Sequence, residues 1–300
     1  MLKKVLIIGF GSIGRRHAKI LKKNPNIKKI FVLTNQNCTS YVKIKSLREI
    51  NKINPDYIII SSETSKHFKQ LSYLEKNFKN KIILVEKPLF EKNRKLILKK
   101  NKVLVGYNMR FNPIIKRIKK IILNRKIWSV NVFCGSYLPN WRKNIDYSKS
   151  SSADKKKGGG VLLDLSHELD YLNWIFGNFK IKYAINKKIS DLNINTDDFL
   201  CLTGKFKKKI YLQLNLNYFT REAKRQILID GKDLSISADL INKNIKFYDK
   251  KKFFKIKYNF DRDHTYKEQH KNIINKKFTN CCSLREAQDI MSIINKIRKF

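Results

Sequence analysis

No apolar run in this 300-residue chain approaches the roughly 20 residues that a membrane-spanning helix needs. Runs such as Val5 to Phe10, Tyr57 to Ile60 and Ile82 to Val85 have the length of strands. Cysteine is sparse: Cys38, Cys134, Cys201, Cys281 and Cys282 make an odd count with no CxxC or metal-like spacing. That pattern argues against a disulfide framework and offers no metal site. The vicinal pair Cys281-Cys282 lacks the electropositive surroundings of a redox-active thiol, so all five are expected to be reduced bystanders. Between Met1 and the first strand-like run there is no room for a charged and then apolar secretory leader. A non-membrane, cytoplasmic protein is expected.

Acidic residues are also in short supply, 24 against 66 Lys and Arg, giving a formal net charge of +42. Such an excess ordinarily points to nucleic acid or another polyanion. The lysines, however, are scattered, at 22–23, 99–100, 155–157, 207–209 and 250–252, with no basic arm or helix and no nucleic-acid motif. The expectation is nonspecific, salt-sensitive attraction to polyanions and no specific nucleic-acid partner.

What the chain does have is enough length, and 42% hydrophobic residues, for two domains with separate cores. Its first hundred residues alternate short β-rich runs with helical stretches, the pattern of a parallel sheet covered on both faces. Strands are predicted near residues 3–9, 28–33, 56–61, 81–86 and 102–106, and helices over about 12–23, 63–79, 89–100 and 111–123. In the first helix Ile13, His17, Ile20 and Leu21 recur at helical spacing and define one buried face. After about residue 120 the pattern becomes α+β. A strand is predicted near 126–135 and a helix near 162–176. Strands near 179–187, 197–206, 209–219, 225–230, 233–238, 243–249 and 252–257 then precede two terminal helices. The expected architecture is an α/β domain over 1–118, followed over 119–300 by an α+β domain with a large, mostly antiparallel, open sheet.

The strand ending at Ile8 runs into Gly9-Phe10-Gly11-Ser12-Ile13-Gly14 and then into a helix. This is the context a dinucleotide-binding Rossmann turn requires. Gly9 allows the tight turn, Gly11 lets the backbone approach a pyrophosphate, Gly14 permits close helix–strand contact, and the helix N-terminus favours anions. A site specific for NAD places Asp or Glu after the second strand. Thr34-Asn35 stands there instead, so the cofactor is NAD or NADP, the latter with help from Arg15, Arg16 or a nearby lysine.

Further landmarks follow in order: Ser61-Ser62-Glu63-Thr64-Ser65-Lys66-His67, then Val85-Glu86-Lys87-Pro88, then Gly106-Tyr107-Asn108-Met109-Arg110-Phe111-Asn112-Pro113, then Gly158-Gly159-Gly160 leading to Asp164, His167 and Asp170. With the glycine-rich turn, this ordered set resembles the Gfo/Idh/MocA oxidoreductases (glucose-fructose oxidoreductase and inositol dehydrogenase) over nearly the whole chain. The resemblance implies that Ser61, Thr64 and His67 belong to the dinucleotide site, and that Glu86 and Lys87 line the nicotinamide. Lys87 would contact both the cofactor and the reacting hydroxyl. Independently of the family, Lys87 follows an apolar strand at the sheet edge where open α/β folds bind ligands, and Pro88 restricts its backbone to extended conformations.

In the helix near 162–176, Leu162, Leu165, Leu169, Leu172 and Phe176 form an apolar stripe, while Asp164, His167, Glu168 and Tyr171 share another face that meets water or a cleft. Many relatives space the Asp and His by four residues, whereas Asp164 and His167 are three apart; either spacing keeps helical side chains adjacent. Asn140, Trp141 and Arg142 offer an aromatic wall and a guanidinium suited to cofactor or to a substrate phosphate or carboxylate, and Arg110 and Tyr171 are further pocket candidates. The expected chemistry is hydride transfer between nicotinamide and a secondary hydroxyl of a sugar, cyclitol or nucleotide sugar. His167 would act as acid/base, and Lys87 would polarise the oxygen with support from Asp164. The alternatives are transient oxidation of a sugar by bound NAD, serving elimination or hydrolysis before the hydride returns, and a noncatalytic dinucleotide- or polyanion-binding protein. The resemblance also implies a homo-oligomer.

Overall fold

The computed structural model describes residues 4–142, 144–207 and 209–300. In chain order the first elements are β1 (Lys4–Ile8), α1 (Ser12–Lys22), β2 (Lys29–Leu33), β3 (Val42–Ile44), α2 (Ile50–Ile53), β4 (Tyr57–Ile60), α3 (Thr64–Asn77), β5 (Ile82–Val85) and β6 (Lys102–Val105). There follow α4 (Pro113–Ile121), β7 (Ile127–Gly135), α5 (Val161–Asp164), α6 (His167–Phe176), β8 (Phe179–Lys187), β9 (Phe199–Phe206), β10 (Tyr211–Asn217), β11 (Lys224–Gly231), β12 (Leu234–Asp239), β13 (Asn244–Asp249) and β14 (Lys252–Lys257). The chain closes with α7 (His264–Ile274), β15 (Cys282–Ser283) and α8 (Leu284–Ile297). By contacts it forms two units: residues through Phe111 with Arg262–Met291, and Asn112–Asp261 with Ser292–Phe300.

In the first unit the sheet order is β15-β6-β5-β4-β1-β2-β3. The pairs from β1 to β6 are parallel, and β15 adds an antiparallel edge. Without β15 this is the 3-2-1-4-5-6 order of dinucleotide-binding folds, in which ligands bind beyond the strand carboxyl ends at the point where the order reverses, here between β1 and β4. Tyr57–Ile60 and Ile82–Val85 are buried along their whole length, as befits strands covered on both faces. Val5, Ile7, Val32, Ile59 and Leu84 join Ala18 and Leu21 of α1 and Ile273 of α7 in one core.

The helix predicted over 89–100 does not form. The segment carries Lys92, Arg94, Lys95, Lys99 and Lys100 with little apolar periodicity, and Ile97 lies exposed. Glu75 of α3 instead accepts hydrogen bonds from the Lys99 and Lys100 backbone N–H groups and from Asn101, so a tertiary acceptor satisfies donors that helix formation would otherwise use.

The second unit carries an eight-stranded sheet in the order β14-β13-β12-β11-β7-β10-β9-β8. All its neighbours are antiparallel except β7 and β10. Alternation leaves Val130, Val132, Leu212, Leu214, Ile227 and Ile229 buried on one face, with Tyr211, Leu228, Tyr248 and Phe253 exposed on the other. The single helix predicted near 162–176 is interrupted: α5 ends at Asp164 and α6 begins at His167. At the break the Ser166 hydroxyl donates to the Leu163 carbonyl at 2.8 Å, a local competitor for helical bonding. No helix among the described residues is long and apolar enough to cross a membrane.

Candidate functional site

In the first unit, the β1–α1 turn is shaped by what cannot fit. Gly9 has φ +91°, and a Cβ there would stand 2.5 Å from the Ser62 backbone nitrogen, so only glycine suits both the conformation and the space. A Cβ on Gly14 would collide with the Gly9 carbonyl, whereas one on Gly11 would meet nothing within 4 Å. Gly11 is the N-cap of the 11-residue α1, with no side-chain cap and no acid in the first turn. An open approach to uncapped N–H groups at a helix N-terminus fits a dinucleotide pyrophosphate. Ser12 is exposed and Ile13 half-buried beside this opening. Phe10 points inward, packed edge-on against Tyr41 with the Arg15 guanidinium 4.7 Å from its ring centre.

Beyond β2, Thr34 Oγ1 accepts the Gln36 N–H at 3.1 Å, and the Gln36 side chain accepts from Arg15 at 2.9 Å. Lys43 donates to the Asn35 carbonyl at 3.5 Å. A guanidinium and an ammonium thus flank a position where no carboxylate stands. At the end of β4 the Ser61 hydroxyl donates to the Gly9 carbonyl at 2.9 Å, and Thr64 opens α3, half-buried.

His67 is buried, with Nδ1 3.2 and 3.3 Å from the Pro88 and Leu89 carbonyls and Nε2 3.1 Å from that of Ser62. Acceptors on both sides favour the charged ring, but burial outweighs them and lowers its pKa. It therefore ties the β4–α3 loop to the segment after Lys87. Glu86 and Lys87 follow β5, the first buried and the second half-exposed; the Lys87–Pro88 peptide is cis. Arg110 lies inside the unit, 1% exposed, paired with Glu286 at 2.7 Å. Burial works to raise the Glu286 pKa, yet Arg110 and the Ser283 donors hold it below the usual carboxylate range. Arg110 thus anchors the start of α8.

In the second unit, the Asp197 carboxylate accepts the Leu162 N–H at 2.9 Å while its carbonyl accepts that of Val161. Together they cap α5. Gly160, at φ +112°, has no room for a Cβ beside that carboxylate. This start delivers Asp164, whose Oδ2 accepts the hydroxyl of fully buried Tyr218 at 2.6 Å. Trp141 packs edge-on against Tyr218 at 5.2 Å and donates to Ser136 at 2.8 Å. Burial, followed by the Asp164 charge, pushes the Tyr218 hydroxyl well above its ordinary pKa; burial likewise raises that of Asp197 despite its donors. Asp164, Tyr218 and Trp141 therefore form one cluster, with Asn140 and Arg142 exposed at its edge.

His167 is half-exposed at the start of α6. The face predicted to meet water or a cleft turns inward one position later: Glu168 and Tyr171 are fully buried, and Glu168 accepts from Arg225 of β11 at 2.6 Å. Tyr171 lies with them and Cys134, and burial raises its pKa. Arg110 and Tyr171 thus stand in the interior of their respective units.

Patterning did not single out Tyr218, Asp197 or Arg225, whose local sequence gives no signal. His17 was recognised only as part of a buried face. Among the described residues no cluster with metal-ligating potential is present, and all five cysteines are free.

The first unit is thus a dinucleotide-binding fold with an open phosphate cradle, followed by a sheet-based domain that carries Asp164 and His167. The chain belongs to the Gfo/Idh/MocA oxidoreductase family: its NAD-binding Rossmann fold matches residues 3–104 and its C-terminal alpha/beta domain residues 119–295. The protein is an NAD(P)-dependent oxidoreductase of that family. It is similar to glucose-6-phosphate 3-dehydrogenase of Bacillus subtilis, 24% identical over 240 residues covering 71% of this chain and 67% of that protein. Its fold matches the WlbA dehydrogenase of Bordetella pertussis, solved with NADH and UDP-GlcNAcA, at a TM-score of 0.77 and 14% identity over 100% of this chain and 96% of that one. UDP-N-acetylglucosamine 3-dehydrogenase GnnA of Acidithiobacillus ferrooxidans matches at 0.77 and 15%, covering 100% and 97%.

Proposed function

We propose that this protein is a dehydrogenase or reductase for a secondary hydroxyl of a sugar, cyclitol or nucleotide sugar, with NAD or NADP as redox partner. The observation that carries the reading is Lys87, placed just beyond the carboxyl end of β5, in the same sheet whose β1–α1 turn leaves an open phosphate cradle at Gly11. Two of the similar proteins are 3-dehydrogenases of hexose derivatives, so a hydroxyl at the sugar 3-position is the first substrate class to examine.

The backbone of Gly9 to Gly14 would hold the pyrophosphate, with Thr34, Asn35, Ser61 and Thr64 along the remainder and His67 fixing the loop behind. When bound, the nicotinamide supplies the hydride acceptor or donor. Removing hydride from a carbinol carbon requires the hydroxyl proton to leave, and His167 takes it; an imidazole suits this near neutral pH. An ammonium such as that of Lys87 would donate to a reacting oxygen and stabilise its developing negative charge. Asp164, held by the Tyr218 hydroxyl, would give electrostatic support. Asn140, Trp141 and Arg142 would contact substrate or cofactor, the guanidinium suiting a phosphate or carboxylate.

The test begins with thermal unfolding with NADH, NADPH or neither, at moderate salt. Ligand at 100 times its Kd adds about 2.7 kcal/mol. A screen of hexose phosphates and nucleotide sugars with the stabilising dinucleotide should then give reduced cofactor, and Lys87→Met and His167→Ala should each abolish it. No thermal shift with either dinucleotide, or product formed by both variants, would overturn the reading.

A further inference from the structure

Behind Glu86 runs a line of four buried polar side chains from four different elements. Tyr57 Oη, at the start of β4, lies 3.0 Å from His270 Nδ1 of α7. His270 Nε2 lies 2.8 Å from His17 Nδ1 of α1, and His17 Nε2 lies 3.0 Å from Glu86 Oε1. Exposures are 0%, 1%, 0% and 7% for Tyr57, His270, His17 and Glu86.

With Glu86 as a carboxylate, counting protons gives one arrangement. An ionised Glu86 can only accept, so His17 must carry its proton on Nε2. His17 Nδ1 is then a lone pair and takes the N–H of His270 Nε2, which leaves His270 Nδ1 to accept the Tyr57 hydroxyl. Each donor and acceptor in the line is used once, and the sole net charge lies on Glu86.

Burial pushes the Tyr57 hydroxyl well above its ordinary pKa, with Cys281 and Glu86 adding to it, and burial with the nearby His17 holds His270 well below its own. The surrounding groups leave this order intact. The Tyr266 ring stands edge-on to His17 at 5.5 Å, Arg16 is occupied by Asp263 and the Tyr266 face, and His67 is bound to carbonyls. Glu86 is also packed against Gly106 so closely that a Cβ there would lie 2.6 Å from Oε1.

We propose that His17 and His270 are positioning residues: with Tyr57 they hold Glu86 as an oriented, ionised carboxylate beside Lys87. This rests on the reading that Glu86 and Lys87 line the nicotinamide. A fixed negative charge there favours the cationic oxidised ring over the neutral reduced ring, so the line biases the bound cofactor toward its oxidised form.

The experiment uses the full chain labelled with 15N-histidine. Its five histidines are assigned by single substitutions and their tautomers read by NMR without ligand, at neutral and mildly alkaline pH. His17 and His270 should both be single Nε2–H tautomers; a charged or Nδ1–H ring at either position would overturn the proposal. Dissociation constants for oxidised and reduced dinucleotide are then compared in His270→Leu, which removes the donor to His17, and His270→Gln, whose amide can replace it. His270→Leu should scramble the His17 tautomer and weaken oxidised relative to reduced cofactor several-fold, while His270→Gln stays close to wild type. Equal ratios in wild type and both variants would leave the line purely structural and overturn the positioning role. Wild-type protein that binds neither dinucleotide would overturn the functional reading instead, and the ligand-free tautomers would still decide the line.

Discussion

The Glu168–Arg225 pair offers a magnitude that can be worked through. Glu168 is fully buried and Arg225 keeps 20% of its side chain exposed, with 2.6 Å between them. In Arg225→Met the apolar stem remains and the charge goes, which leaves a carboxylate without its counter-ion. That carboxylate need not stay charged, because it can take a proton. The penalty is therefore capped by the cost of protonating it: with an unperturbed Glu pKa near 4.3 and 1.36 kcal/mol per unit, roughly 3.7 kcal/mol at pH 7 and about 1 kcal/mol at pH 5. The pH 7 figure falls within the range of about 3–5 kcal/mol typical for breaking a buried pair from one side.

The sign follows from the same argument. In the variant the folded state binds the Glu168 proton more tightly than the unfolded state, so its stability deficit grows as pH rises. Removing both charges, as in Glu168→Gln with Arg225→Met, should recover most of the loss at pH 7. Trp128, Trp141 and Trp174 all lie in the second unit, so urea unfolding followed by tryptophan fluorescence reports on the relevant part of the molecule. A deficit independent of pH, or a double variant no more stable than the single one, would refute the reasoning.

Two other expectations concern the first unit. Asn35→Asp places a carboxylate where Arg15 and Lys43 now meet neutral groups; it should strengthen or preserve NADH binding through the ribose hydroxyl and weaken NADPH binding by about tenfold. Equal changes for both dinucleotides in titrations would refute it. His67 and His270 are buried with lowered pKa values, so the unfolded chain binds their protons first. Stability should then fall as pH drops below about 6.5, by up to about 1.4 kcal/mol per pH unit for each histidine. Circular dichroism of urea unfolding between pH 7.5 and 5.5 should show a shallower dependence for His270→Gln than for wild type.

Much of this architecture could be read locally. The glycine turn, the periodicity of α1 and the alternation of β9 to β13 each agree with what the tertiary structure demands, and such agreement makes a pattern readable. Where the readings diverge, another hydrogen-bonding partner has intervened. Glu75 takes the N–H groups that a helix over 89–100 would have used, and the Ser166 hydroxyl helps break the helix between Asp164 and His167. Glu168 and Tyr171 shared a helical face with Asp164 and His167 in projection, yet Arg225 draws Glu168 into the interior. No spacing rule shows the pairing of His17 with His270, which are 253 residues apart.

The composition also looks different once burial is known. Among the described residues the buried charged side chains are Glu86, Arg110, Glu168, Asp170 and Asp198, with no lysine among them. An exposed lysine costs little and contributes little, because water and salt screen it, so a large basic excess can spread over the surface without disturbing either core. A buried carboxylate is different, since it must be given donors or lose its charge. Glu86 has His17, Glu168 has Arg225, and Asp198 has the Ile189 and Ser190 backbone N–H groups with the Ser190 hydroxyl. In a chain this basic, the net charge therefore says little about mechanism. The few acids that are enclosed and paired with a donor carry more, because each marks a place where the fold accepts a desolvation cost to hold a negative charge in one orientation.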